Sequence, residues 1–91
     1  LTALTDVKGR AKIRARINRL RSGNPGKFRM VGVGVLELII DFGPGYRLYF
    51  AKIGNKIVLL LCGGDKATQN ADIKKAAEFL SDYKRRSKEN Q

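Results

Sequence analysis

The sequence predicts an α+β fold: a basic N-terminal helix, then an antiparallel sheet of three or four strands, then a C-terminal amphipathic helix. Three observations predict it. Apolar residues recur at helical spacing before residue 21 and after residue 69. Between them lie runs rich in β-branched and aromatic side chains, separated by short turns that contain glycine or proline. With 91 residues, the chain is expected to form a single domain, residues 1–91.

The first helix is predicted over Val7–Arg21, with Asp6 as its N-cap and Gly23 at the position that terminates it. Its narrow apolar face is formed by Ile13, Ile17 and Leu20. Arginine and lysine crowd the rest of the helix. This basic surface is either a solvated face or a surface for a polyanion or an acidic partner, and the sequence leaves both open.

Four strands are predicted after this helix. Lys27–Val31 alternates polar and apolar residues, as a short or edge strand does. Val35–Phe42 and Tyr46–Ile53 flank the turn Gly43–Gly45 and are expected to form a hairpin. A second turn leads into Lys56–Cys62, which is apolar without interruption from its second residue. A continuous apolar run is typical of a strand buried on both faces, so we expect this strand at the centre of the sheet.

Arg47 interrupts an otherwise apolar strand. Because side chains alternate between the two faces of a strand, Arg47 and Tyr49 point away from the face that carries the core residues. In the preceding strand, Glu37, Asp41 and Ile39 share one face, which is expected to be partly exposed to solvent. The two helices are expected to cover one face of the sheet. The face that carries Arg47 and Tyr49 is then partly open.

The segment after the last strand, residues 63–69, leads into the second helix, for which Thr68 or Asn70 is the expected cap. The apolar face of that helix is formed by Ile73, Ala76, Ala77 and Leu80. The two glycines are either a plain exit from the strand or, at a helix N-terminus, part of a site that favours an anion, with Lys66 adding a charge. The spacing of a phosphate-binding P-loop is absent. Residues 84–91 are charged and are expected to fray.

Composition restricts the possible functions. The formal net charge is +11, from 19 Lys and Arg against 8 Asp and Glu, which is typical of a domain that meets a polyanion or an acidic protein. The chain has no histidine and one cysteine, Cys62, so Ser-His or Cys-His catalysis and an internal disulfide are excluded. We expect no metal site and no cofactor. No apolar run is long enough to span a membrane, so we predict a cytoplasmic protein without membrane contact.

The cations suggest a site for single-stranded RNA. If the central strands are adjacent, Arg47, Lys66 and Arg29 converge on one concave face, where cations hold phosphates and the rings of Tyr46 or Tyr49 stack on bases. The same cations are suited to stabilise the charge that develops during phosphodiester cleavage.

Four segments of the chain together resemble a family of toxins. They are Gly-Asn-x-Gly at 23–26, Val-Gly-x-Gly-Val-x-Glu-Leu at 31–38, Gly-Pro-Gly-Tyr-Arg-x-Tyr-Phe at 43–50, and the run from Leu59 to Ile73 that contains Cys-Gly-Gly-Asp-Lys-x-Thr-Gln. In combination they are similar to the addiction-module killer proteins of the RelE/ParE superfamily, close to the HigB group. The resemblance extends from about residue 4 to residue 80.

The resemblance implies a RelE/ParE-like fold and the toxin of a bacterial type II toxin–antitoxin pair. The free toxin would be monomeric and would form a hetero-oligomer with a cognate helix-turn-helix antitoxin. RelE and HigB relatives enter the ribosome and cleave mRNA without metal, whereas ParE relatives inhibit DNA gyrase. A basic nucleic-acid-binding module without toxicity is the remaining alternative. The family also begins with a short strand that this sequence lacks, so we expect a trimmed N-terminus.

The resemblance also assigns roles to residues. Arg47 matches the arginine that acts on the scissile phosphate, and Lys66 falls near a second catalytic cation. Asp72 occupies the region where several relatives carry a histidine or tyrosine as general acid or base. The residues expected to contact RNA are Arg29, Lys27, Tyr46, Tyr49, Thr68 and Gln69.

Overall fold

A four-stranded antiparallel sheet with one helix on each face forms the fold. The computed structural model describes residues 7–43 and 45–89. In chain order the elements are α1 (Val7–Arg21), β1 (Arg29–Gly32), β2 (Val35–Ile40), β3 (Tyr46–Ile53), β4 (Lys56–Gly63), a 3₁₀ turn (Lys66–Thr68) and α2 (Gln69–Glu89). The strands lie in the order β1-β2-β3-β4. The predicted α+β class, with its four antiparallel strands, is confirmed.

Helix α1 has the predicted bounds and ends in a Schellman motif. Gly23 adopts a φ of +86°, a left-handed conformation that glycine reaches without steric cost. Its N–H donates to the Leu20 carbonyl at 3.2 Å, and the Asn24 N–H donates to the Arg19 carbonyl at 3.0 Å. These bonds satisfy carbonyl groups that the helix end would otherwise leave unpaired. The predicted cap Asp6 lies outside the described residues.

The predicted apolar face of α1 packs on one face of the sheet, and this interface is the larger core. It consists of Ile13, Ile17 and Leu20 from α1 with Leu38, Ile40, Tyr46, Leu48 and Phe50 from β2 and β3. Full burial of a large apolar side chain stabilises a fold by about 1.5–3 kcal/mol relative to its exposure. Most of the remaining residues of α1 are exposed, as its narrow apolar stripe predicts, although Gly9 is also buried and Arg10 and Arg16 are half-buried.

Helix α2 covers the opposite face, so the prediction of one open face is wrong. Its residues Ala76 and Leu80 form a second core with Val35, Tyr49 and Ala51. Because Gly34 has no Cβ, Leu80 can pack closely against the β1–β2 turn: a Cβ added there would lie 3.2 Å from its Cδ2 atom. As a result, Arg47 and Tyr49 project from the predicted face but lie beneath α2. Their exposed fractions are 8% and 0%.

The centre of the sheet is β3, and the prediction that the last strand is central is wrong. Strand β4 is an edge strand that pairs with β3 alone. Its residues are apolar on both faces because the two helices, rather than two neighbouring strands, cover them. Ile57 and Cys62 pack in the α1 core, whereas Leu60 and Leu61 pack in the α2 core.

Both predicted hairpin turns are present. The Gly45 N–H donates to the Phe42 carbonyl at 3.1 Å across the first turn, whose Pro44 lies outside the described residues. Gly54, in the second turn, has a φ of +60°. The expected fraying from residue 84 is not observed, since α2 continues to Glu89; residues 90 and 91 lie outside the described part. Neither helix of the described residues is long and apolar enough to cross a membrane.

Candidate functional site

A buried carboxylate, Glu37, holds together the polar groups between the sheet and α2. Its side chain is 0% exposed. The Arg29 Nε atom donates to its Oε1 atom at 2.9 Å, and the Gln69 Nε2 atom donates to its Oε2 atom at 2.8 Å. The Arg47 Nε atom lies 3.8 Å from Oε2 as an ion pair. We call Arg29, Glu37, Arg47 and Gln69 the Glu37 cluster.

Strand register and a capped turn bring these four residues together. Arg29 pairs directly with Glu37 across the β1–β2 hairpin, on the α2 face of the sheet. Gln69 is the first residue of α2, and the preceding 3₁₀ turn places it over β2. Asp65 caps that turn by accepting a hydrogen bond from the Ala67 N–H at 2.9 Å. Asp65 thus caps the 3₁₀ turn that leads into α2, whereas the caps expected for α2 itself, Thr68 or Asn70, stay predictions.

Glu37 is held in its ionised form. Burial alone raises the pKa of its carboxyl, but the hydrogen bonds from Gln69 and Arg29 and the positive charge of Arg29 outweigh that effect. The net result is a pKa below the ordinary value of 4.5. The expectation that this face of β2 is partly exposed to solvent is wrong for Glu37, which is buried. It holds for Ile39 and Asp41, which are exposed.

Arg47 is fixed at the first turn of the central hairpin. Its Nη1 atom donates to the Gly45 carbonyl at 3.0 Å. Its buried Nε atom makes no hydrogen bond and has only the longer ion pair to Glu37. The Gly45 carbonyl and the Glu37 carboxylate thus orient the Arg47 guanidinium from two sides. Together they use fewer than its five N–H donors.

Tyr49 lies beneath the cluster as a neutral phenol. Its hydroxyl is buried and makes no hydrogen bond. Burial and the nearby negative charges of Glu37 and Asp72 raise the pKa of Tyr49 far above its ordinary value. Tyr46 is also buried, at 6% exposure, but on the α1 side. Neither ring offers a surface on which a base can stack, which corrects the stacking role expected of both.

An open groove of about 390 Å³ lies beside the cluster along β1 and β2. Its lining consists of Lys27, Phe28, Arg29, Glu37, Ile39 and Asp41. The Phe28 ring is 49% exposed and meets Phe50 edge-on, with 5.8 Å between ring centroids. Phe28 is therefore an aromatic surface between two cations, Lys27 and Arg29. The sequence reasoning missed it, although the Lys-Phe-Arg tripeptide is visible in the chain.

Asp72 lies next to the cluster on the first turns of α2. The Thr68 hydroxyl donates to its Oδ2 atom at 2.7 Å. A Cβ added to Gly63 would lie 2.7 Å from this same oxygen and 3.0 Å from the Tyr49 ring, so only glycine fits between them. Asp72 therefore packs closely against the end of β4.

The structure brings most of the predicted site residues to one region. Arg29, Arg47 and Gln69 join the cluster, Lys27 lines the groove, and Thr68 bonds to Asp72. Lys66 is exposed on the 3₁₀ turn and joins none of the hydrogen bonds or ion pairs of the cluster. Glu37, which connects the cluster, was missed as a site residue. The signal that points to it is an acidic residue within an apolar run, opposite a basic strand.

The chemistry available to this region is anion binding by arginine. Guanidinium groups form paired hydrogen bonds to phosphate oxygens, and both arginines of the cluster are oriented in advance by one carboxylate. Each oxygen of that carboxylate accepts a hydrogen bond, and Oε2 also forms the ion pair with Arg47. Glu37 therefore orients cations rather than accepting a proton. Within the described residues, no group of three or more His, Cys, Asp or Glu side chains is placed to hold a metal.

Comparison with known proteins identifies a relative. Neither a protein-family model nor a solved structure matches the chain. A protein of Haemophilus influenzae, described as an uncharacterized protein, is 50% identical to it over 76 residues. The matched region covers 84% of this chain and 77% of the Haemophilus protein. The chain therefore belongs to the same family as this Haemophilus influenzae protein.

Proposed function

We propose that this protein is the toxin of a bacterial type II toxin–antitoxin pair, with a RelE/ParE-like fold, and that it cleaves mRNA on the ribosome without metal. The observation that carries the proposal is the position of Arg47, which a buried carboxylate and a turn carbonyl orient at the centre of the sheet. The net charge of +11 and the four sequence segments that resemble such toxins add support. Its partners would be a helix-turn-helix antitoxin, the ribosome and mRNA, all in the cytoplasm.

In this mechanism a ribose 2′-hydroxyl attacks the neighbouring phosphate and its proton passes to water. A 2′,3′-cyclic phosphate forms as the P–O5′ bond breaks, and water protonates the 5′-oxygen that leaves. Arg47 and Lys66 stabilise the additional negative charge of the pentacoordinate state. Arg29 and Lys27 bind flanking phosphates, and the exposed ring of Phe28 stacks on a base. The rate enhancement comes from charge stabilisation and from alignment of the 2′-hydroxyl by the ribosome-bound substrate.

The test is to map mRNA ends by primer extension in a translating extract. Wild-type protein should produce new 5′ ends within codons. Arg47→Ala should reduce cleavage about 100- to 1,000-fold, because one charge-stabilising group is lost. Arg85→Ala is the matched control, because Arg85 is an exposed arginine on α2 that pairs with Asp82. Absence of cleavage by the wild type, or equal cleavage by Arg47→Ala, rejects the nuclease.

A ParE-like inhibitor of DNA gyrase that works by contact alone is the second candidate. The observation that favours it is the 8% exposure of Arg47, since a binding toxin needs no arginine at a reacting phosphate. A supercoiling assay with excess protein separates the two, because only the second candidate blocks gyrase. If expression without a partner leaves growth unchanged, both toxin readings fail, and a basic nucleic-acid-binding module remains.

A further inference from the structure

The groove beside the Glu37 cluster is lined by two carboxylates that differ in their partners. Glu37 accepts hydrogen bonds on both oxygens, one from Arg29 and one from Gln69. Asp41 is exposed, and its carboxylate has no hydrogen-bond or ion-pair partner among the residues that the structure describes. Lys27 lines the same groove and forms no ion pair with it. The groove therefore holds one free carboxylate beside its cations.

A free carboxylate does not suit a groove that binds phosphate alone. Lys27 and Arg29 attract phosphate oxygens, whereas the negative charge of Asp41 repels them and weakens their binding. An ionised carboxylate accepts hydrogen bonds but donates none. The ligand that complements this groove therefore carries N–H donors in addition to a phosphate, and nucleotides with an amino group on the base meet both requirements.

Two apolar side chains offer a surface for the base. Phe28 is 49% exposed, and Ile39, which lies between Glu37 and Asp41 on the same side of β2, is 45% exposed. A planar base gains from stacking on an aromatic ring and from covering an aliphatic side chain. The volume of about 390 Å³ lies within the range of about 300–1,000 Å³ that is usual for small-molecule sites. The groove thus has room for one nucleotide.

The free carboxylate selects among the four bases. Guanine presents two neighbouring donors on one edge, its N1–H and its N2 amino group, and the two oxygens of a carboxylate accept them in parallel. Adenine and cytosine offer one amino group each, and uracil offers one N–H. We infer that the groove is a guanine site in which Asp41 accepts both hydrogen bonds. Phe28 and Ile39 hold the ring, and the cations of the groove bind the phosphate.

This inference rests on the proposed function, in which Phe28 stacks on a base of the RNA, and it names that base as guanine. A free guanine nucleotide offers the same chemistry, so the experiment includes both sources. Binding is measured without ribosomes. Its result is therefore separate from the cleavage assay, and guanine preference without mRNA cleavage would reject the nuclease alone.

A comparison of guanine with inosine tests the role of the carboxylate. Inosine lacks the N2 amino group but keeps the N1–H and the purine ring, so stacking is nearly unchanged. The probe is a fluorescent oligouridine of about seven nucleotides with one central guanine or inosine, followed by anisotropy at about 100 mM NaCl. The wild type should bind the guanine probe about tenfold more tightly, because one hydrogen bond to a charged group is lost with inosine.

Asp41→Asn assigns this preference to one side chain. It should reduce the ratio of guanine to inosine affinity to within about twofold and should increase affinity for plain oligouridine, because a charge that repels phosphates is removed. Glu78→Gln is the matched control, since Glu78 is an exposed carboxylate on α2 that pairs with no described residue. This control should keep the tenfold ratio. Circular dichroism verifies that both variants are folded.

Equal affinity of the wild type for the guanine and inosine probes overturns the inference. It is also overturned if Asp41→Asn strengthens binding of the guanine probe and of plain oligouridine by the same factor, because Asp41 is then only a surface charge. Competition by guanosine and inosine 5′-monophosphates separates the two sources. Displacement of the probe at about tenfold lower guanosine monophosphate concentration supports a site that also takes free nucleotides. Equal displacement by both, with the preference among RNA probes retained, supports a site for guanine in RNA.

Discussion

At the scale of single residues, Glu37 determines where two cations are held. Its carboxylate accepts hydrogen bonds from Arg29 and Gln69 and forms an ion pair with Arg47. Side chains from β1, β3 and α2 thus meet at the two oxygen atoms of one β2 residue. A buried charge without partners is strongly destabilising, whereas this one is compensated on both oxygens. Glu37 is therefore a positioning residue: under the proposed function it would act on a phosphate only through its arginines.

Glutamine has nearly the same shape as glutamate but no charge, so replacing Glu37 by glutamine tests the effect of the charge alone. Glu37→Gln should lower the free energy of unfolding by about 2–3 kcal/mol at pH 7, because the buried Arg47 and the exposed Arg29 both lose their counter-charge. Urea denaturation followed by circular dichroism measures it. Asp82→Asn is the control, since it removes an exposed carboxylate that also pairs with two arginines, and its midpoint should barely change. Equal effects of the two substitutions would contradict the structural role of Glu37.

The same carboxylate predicts an acid-dependent loss of stability. The pKa of Glu37 is lower in the folded protein than its ordinary value of 4.5, so protonation favours the unfolded chain. Its contribution is complete above about pH 5, declines as the pH falls below 4.5, and disappears below the folded pKa. Thermal melts from pH 7 to pH 3 should show a shallower decline for Glu37→Gln than for the wild type. Parallel curves would mean that other carboxylates cause the acid response.

Single residues also show what the sequence alone could predict of the site. Arg47 was recognisable because it interrupts an apolar strand. The environment of Glu37 was not, because its partner Gln69 lies 32 residues further along the chain. The burial of Tyr49 was missed for a related reason: strand alternation gives its face of the sheet but not the helix that covers that face.

At the scale of elements, helix α1 and the hairpins follow from local patterns, and the layer order does not. A 3.6-residue period with a glycine stop defines Val7–Arg21 whatever surrounds it. In contrast, two arrangements explain the apolar run of β4. Either β4 lies between two neighbouring strands inside the sheet, or it is an edge strand with a helix on each face. The second is the case here. Contacts with Val35 of β2 and Tyr49 of β3 determine the sheet face that α2 covers. These contacts cannot be inferred from the sequence of α2 alone.

The junction between β4 and α2 yields a test at this scale. Gly63→Ala places a methyl group 2.7 Å from the Asp72 carboxylate and 3.0 Å from the buried Tyr49 ring, so one of them must move. We expect a loss of about 1–3 kcal/mol, together with loss of the Thr68–Asp72 hydrogen bond. Gly64→Ala is the control, because nothing lies within 4 Å of a Cβ at that position. Equal denaturation midpoints for the two variants would show that α2 does not pack against β4 this closely.

At the scale of the whole molecule, the charges are arranged by side. The α1 side is uniformly cationic, and the α2 side mixes both signs around the Glu37 cluster. Uncompensated cations on one helix repel one another within a Debye length, which lowers the stability of the fold at low salt.

Added salt should therefore stabilise the protein. Raising NaCl from about 20 mM to about 500 mM shortens the Debye length and should increase Tm by about 2–4 °C. The variant Lys12→Glu with Arg14→Glu should respond less, because it removes part of the repulsion along α1. Calorimetry at constant pH measures both. A fall in Tm with salt would show that attractive ion pairs dominate instead.

The position of β3 between the two helices has a consequence for cooperativity. Its even-numbered residues Tyr46, Leu48 and Phe50 belong to the α1 core, and its odd-numbered Tyr49 and Ala51 belong to the α2 core. Neither core can open without removing the support of the other, because both are built on the same strand. The backbone amides of β3 should therefore exchange with solvent only through global unfolding, whereas the edge strands β1 and β4 exchange through smaller openings.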